Sequence, residues 1–152
     1  MKTIVLGYDG TDASARALER TAEIATAFGS SVIVTSVSGT MGGAVHAGGA
    51  GDPTDPPDAH EALLDAATTV LAGRGVDAES VLAMGSASEA IVELAHEKGA
   101  DLIVVGTREP GFFERLLGHS VSGSVQRHAH CDVLIVHCAR ASLRRMLSSG
   151  AQ

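Results

Sequence analysis

"GSASEAIVELAHEKGADLIVVGTR", residues 85–108, contains a helix and the strand that follows it. Ile91, Leu94 and Ala95 recur along one side at helical spacing, which predicts a helix over 87–98. Ser86 or Ser88 is placed to cap its start and Gly99 to stop it. "LIVVG" (102–106) then runs apolar without alternation, as a strand covered on both faces does. A doubly covered strand entered from a helix is a unit of parallel sheet, because parallel neighbours must be joined by crossovers that lie on the sheet faces.

The same alternation extends in both directions. "TIVLGY" (3–8), "SVIVTSV" (31–37) and "VLIVH" (133–137) read as further buried strands, with "AESVLAM" (78–84) as a weaker one. Apolar spacing predicts helices over 12–28, stopped by Gly29, and over 58–73. A fourth helix is expected to open near Ser120. The order β-α-β-α-β-α-β-α-β defines a doubly wound α/β fold with helices on both faces of a parallel sheet. Only "SGTMGGAVHAGGAGDPTDPPD" (38–58), rich in glycine and closed by prolines, lacks a period, and it reads as a long loop inside one domain of residues 1–138. The tail, 139–152, sets Leu143, Met146 and Leu147 beside Arg140, Arg144 and Arg145 as a terminal helix or a basic contact.

Composition narrows the partners. The chain has 152 residues, enough for one core without metal or disulfide. A net charge of −7 repels nucleic acid and anionic membrane, and with 3% aromatic residues base stacking is poorly supplied. A small molecule or another protein, itself unidentified, is the expected partner. Cys131 and Cys138 flank "DVLIVH", which as a strand holds their Cα atoms beyond disulfide reach, so free thiols and a cytoplasmic protein are expected. There is no long apolar run and no cleavage-site pattern at the start.

Ligands of open parallel sheets bind at the carboxyl ends of strands, where strand order reverses. Asp9 and Gly106 stand at such ends. Asp9 either hydrogen-bonds within the turn "DGTDAS" or accepts from a sugar or base. Gly106 permits close backbone approach, and Ser120 at a helix start would place free N–H groups toward an anion. "GHSVS" nearly spells a nucleophile elbow, but no β-run immediately precedes Ser120 and the chain is short for that fold. His128, His130, Cys131, His137 and Cys138 match no structural zinc spacing, so no metal is assigned and the chain is not expected to be an enzyme.

"IVLGYDGTDASARAL" (4–18), residues 85–108 and "ERLLGHSVSGSVQRHAHCDVLIVH" (114–137) together resemble the universal stress protein family, in its order and spacing. The resemblance implies a five-stranded parallel sheet of order 3-2-1-4-5, and, for the nucleotide-binding branch, ATP or another adenine nucleotide with Mg at the switch between strands one and four. Carried over, the site comprises Gly7, Tyr8, Asp9, Ser38, Gly106, Thr107, Arg108, Gly118, His119, Ser120, Val121 and Ser122. Family members commonly pair the last strand across a two-fold axis, which implies a homodimer through Val133, Leu134, Ile135 and Val136.

The family's G-x-x-G-x9-G-[ST] pattern begins here at Gly106 and ends at Ser120, but its two other glycines are Glu109 and His119. A carboxylate about 4 Å from a phosphate charge is repelled by roughly 1 kcal/mol in water and more when desolvated. Arg108, Gly111 and Gly118 offer partial relief. The motif therefore sets a stress-response module with a degraded adenine-nucleotide site against a nucleotide-independent interaction module. A weak ATPase, resting on Ser120, Ser122 and nearby histidines, is a third reading.

Overall fold

The structure, a computed structural model, describes residues 1–38, 57–107 and 121–138. Five strands, β1 (Thr3–Gly7), β2 (Ser31–Ser38), β3 (Ala78–Met84), β4 (Leu102–Thr107) and β5 (Asp132–His137), alternate with α1 (Asp12–Phe28), α2 (Pro57–Gly73), α3 (Ala87–Glu97) and α4 (Val121–His128). All neighbouring strands pair in parallel, in the order β3-β2-β1-β4-β5, as the resemblance implied. Ile4 lies opposite both Val32 and Leu102, and Leu6 opposite both Val34 and Val104. The central strand is thus hydrogen-bonded on both edges.

Two apolar layers enclose the sheet. On one face Ile4, Leu6, Val32, Val34 and Val104 pack against Ala17, Leu18 and Ala22 of α1 and Leu64, Ala67 and Leu71 of α2. On the other, Val5, Ile33, Ile103 and Val105 pack against Ile91, Leu94 and Ala95 of α3 and Val125 of α4. Each strand feeds both layers because successive side chains point to opposite faces, which explains why the central strands read as unbroken apolar runs. Strand β3 carried the weaker signal because it is an edge, with exposed Glu79, Ser80 and Met84.

The helix ends follow the expected chemistry with one difference. Thr11 caps α1, its Oγ1 accepting from Ser14 N at 3.3 Å, and Gly29 closes the helix at φ 64°, a conformation favoured by glycine. Ser86 occupies the cap position of α3, but its hydroxyl lies 3.3 Å from Ser88 Oγ and makes no cap bond; its carbonyl accepts from Ala90 N instead. The start of β1 is fixed from a distance: Asp101 Oδ2 accepts from Lys2 N at 2.7 Å and Thr3 N at 3.0 Å. Those two backbone hydrogen bonds hold the Asp101 carboxyl below its ordinary pKa range. Among the described residues no helix is long and apolar enough to cross a membrane.

Candidate functional site

Strand β1 runs to β2 on one side and to β4 on the other, and the crossovers leave those two edges toward opposite faces of the sheet. Between the departing helices, at the carboxyl ends of the strands, lies a cleft of about 140 Å³. The turn after β1 supplies Gly7, Tyr8 and Asp9, and the first turn of α1 supplies Thr11 and Ser14. The apolar wall is formed by Val37, Ile91 and Val105, with Thr35, Ala87 and Gly106 completing the lining.

The polar side of the cleft is built by short-range bonds. Asp9 Oδ1 accepts from Thr11 N at 3.0 Å and from Thr11 Oγ1 at 2.6 Å. The local role considered for Asp9 is therefore present: its carboxylate organises the residue that caps α1. Asp12 follows in the first helical turn. The start of α1 is thus already supplied with acceptors and negative charge, which makes it a poor seat for a phosphate.

Gly106 has a specific packing reason to lack a side chain. A Cβ there would stand 2.4 Å from Ala13 O, 2.5 Å from Ala13 C and 2.9 Å from Ser14 N. The close approach expected of this glycine is made by the backbone of α1, so the glycine by itself does not require a ligand. Gly7 leaves a smaller space, since a Cβ there would meet Ile91 Cδ1 at 3.1 Å and Val105 Cγ1 at 3.2 Å. Tyr8 is tied to β2 through its N–H, which donates to Thr35 O at 2.8 Å.

The remaining candidates divide by position. Ser38 is buried at the end of β2, its carbonyl accepting from Gly85 N at 3.1 Å, and it is not part of the cleft lining. It shares the strand face of Ser36, whose hydroxyl meets His60 of α2 at 2.6 Å, whereas the cleft takes the alternate residues Thr35 and Val37. Thr107 ends β4, its carbonyl accepting from Cys138 N at 3.1 Å. Val121 and Ser122 open α4. Arg108, Glu109, Gly118, His119 and Ser120 lie outside the described residues.

Sequence reasoning did not single out Thr35, and the signal for it was slight: one hydroxyl at an odd position of a strand whose inward neighbours Ile33 and Val37 are apolar. Thr35 is 1% exposed and its Oγ1 has no hydrogen-bond partner among the described residues. A buried hydroxyl in that condition is uncommon, and Thr35 is one of the residues that line the cleft.

The histidine and cysteine cluster is separate. His96 of α3 stacks obliquely on His130 with ring centroids 5.7 Å apart, and His128 Nδ1 meets Ser124 O at 2.8 Å. Both cysteines are free, and burial raises the Cys131 thiol pKa with help from Asp132 and Asp101. Among the described residues no three His, Cys, Asp or Glu side chains are grouped to hold a metal ion.

The universal stress protein family model matches residues 1–137, a span that contains every strand and the whole cleft. The chain belongs to the universal stress protein family. A universal stress protein of Mycobacterium tuberculosis strain H37Rv is 37% identical over 141 residues, covering 90% of this chain and 96% of the relative. A universal stress protein solved in complex with cAMP superposes with a TM-score of 0.69 at 33% identity, covering 90% of this chain and 96% of that one. One from Archaeoglobus fulgidus, solved with dAMP, has a TM-score of 0.65 at 24% identity, covers 90% and 97% of the two chains, and supports the shared fold alone.

Proposed function

We propose that this universal stress protein is a small stress-response binding module that holds an adenine nucleotide at the β1/β4 switch. The observation that carries the reading is the cleft itself, which sets an apolar wall of Val37, Ile91 and Val105 against the polar groups of Asp9, Thr11 and Thr35. Apolar pockets with a few fixed polar groups suit a planar base on a sugar. The likeness to the cAMP complex, at 33% identity across nearly the whole of both chains, supports the same ligand class.

In this arrangement the base enters among the apolar side chains. The sugar faces Asp9, whose carboxylate accepts from a ribose hydroxyl. Since α1 opens with Asp12 and Asp9 beside it, the phosphates are directed away from α1 and toward the first turn of α4, which opens at Val121. Mg accompanies ATP as a charge partner of the phosphates, and the protein acts as a binder rather than an enzyme.

A second reading, a nucleotide-independent interaction module, is favoured by Glu109 and His119 in the family motif and by the packing explanation for Gly106. Calorimetric titration with ATP, ADP and AMP separates the two. Binding in the micromolar to millimolar range supports the nucleotide module, and Glu109→Gly with His119→Gly should strengthen it. Absence of heat and of any thermal shift at millimolar Mg-ATP in the unmodified chain, with binding gained in the double variant, would establish the second reading. Under either reading we propose a cytoplasmic homodimer formed along β5.

A further inference from the structure

The histidines at the ends of α3 and α4 form a cluster that the nucleotide cleft does not use. A groove of about 470 Å³ lies between the two helices, lined by Glu89, Glu93 and His96 of α3, by His128 of α4 and by His130 in the turn before β5. His96 and His130 approach with ring centroids 5.7 Å apart and ring planes tilted by 58°. Both residues are exposed, and neither ring has a hydrogen-bond partner among the described residues. Two imidazoles that share one ion at about 2.0–2.1 Å in tetrahedral geometry hold their ring centres roughly 5 Å apart. Small χ rotations of two exposed side chains close the difference.

The surroundings favour a cation. His96 stands in the last turn of α3 and His128 in the last turn of α4, where the free carbonyls and the macrodipole present negative charge. Glu89 and Glu93 add carboxylates along the groove, while Lys98, the C-cap residue of α3, is paired with Glu79 at 3.1 Å. His128 Nδ1 carries the ring hydrogen, since it donates to Ser124 O at 2.8 Å and a carbonyl can only accept. Its Nε2 is therefore a lone pair, in the tautomer that a backbone carbonyl imposes on ligating histidines.

We infer that His96 and His130 hold a divalent first-row transition-metal ion, tying the end of α3 to the turn that enters β5. Imidazole nitrogen selects nickel, copper, cobalt or zinc over magnesium and calcium, which take oxygen. Among the described residues no three donors are already gathered about one point, so the seat is bidentate and water completes the coordination. The bound ion stabilises the folded chain by mass action. The site is separate from the β1/β4 cleft and stands whether or not a nucleotide binds there.

The experiment titrates untagged protein with NiCl2, chosen because nickel prefers imidazole and spares the free thiols from the competition that zinc would bring. Calorimetry should show one ion per chain with micromolar affinity and no response to MgCl2 at the same concentration. Paramagnetic broadening by NMR should reach the His96 and His130 imidazole signals before that of His137. His96→Ala and His130→Ala should each weaken nickel binding about 10-fold or more, as loss of a group that supports a metal site does, whereas His137→Ala keeps the unmodified affinity. All three variants should keep the metal-free Tm of the unmodified protein, because the side chains removed are exposed. Absence of nickel binding by the unmodified protein, or an affinity unchanged in both His96→Ala and His130→Ala, overturns the inference.

Discussion

Gly106 and Asp101 show how single residues hold opposite ends of the sheet, Gly106 where β4 meets α1 and Asp101 at the start of β1. Because a methyl group on Gly106 would stand only 2.4 Å from Ala13 O, Gly106→Ala must displace backbone rather than a side-chain tip. Overpacking against a rigid element costs about 1–3 kcal/mol, and the upper end is expected here, read as a lower urea midpoint. Because the displaced element is the first turn of α1, nucleotide affinity should fall in the same variant. Asp101 acts through charge. Its folded carboxyl titrates below its ordinary range, so its contribution is fully present above about pH 4 and is lost as pH falls through the lowered value. Asp101→Asn should therefore be less stable than the unmodified protein at pH 7, with the gap closing as the pH falls below the ordinary carboxylate range and through the lowered value. A gap that stayed constant across urea titrations at several pH values would show that the Lys2 and Thr3 bonds carry no linkage.

Among the elements, β5 has the most open role. It pairs with β4 on one edge only, and its burial is intermediate from Val133 to Val136. Leu134 and Val136 pack on the α1/α2 layer, and Val133 and Ile135 on the α3/α4 layer. All four thus serve their own core while leaving surface to cover, and the strand's outer backbone groups can pair with a second copy. A dimer is expected by light scattering at micromolar concentration, and a monomer there would reject the interface. Proline in place of Ile135 tests the edge through the backbone, and it should lower the dimer fraction if its N–H faces outward. Element boundaries were largely readable in advance: α1 and β3 lie where periodicity set them, and the other strands differ by one residue at an end. Caps were less readable, because Ser86 and Ser88 satisfy each other and the choice between them depends on side-chain rotamers.

At the scale of the whole molecule, alternation of apolar runs with amphipathic helices specified a doubly wound sheet, since each element could bury its apolar surface only against the next layer. The order 3-2-1-4-5 required the family resemblance as well, because periodicity shows which faces are covered and not which strands are neighbours. Of the residues that line the cleft, Asp9 and Gly106 were legible from their places at strand ends, and Gly7 and Tyr8 only through the family resemblance. Thr11, Ser14, Thr35, Val37, Ile91 and Val105 were not, because they come from separate elements and meet only across the sheet. The sequence by itself determined the elements and the two-layer core, which follow from local periodicity and turn chemistry, while the position of the switch came with the family resemblance. Only the tertiary structure decided that Gly106 is bare for the sake of α1, that Ser38 is not part of the cleft lining, and that Thr35 and Ile91, from separate elements, line the same cleft. Those outcomes depend on which backbone passes within van der Waals contact of which, a relation between residues as distant along the chain as Ala13 and Gly106 that no local pattern encodes.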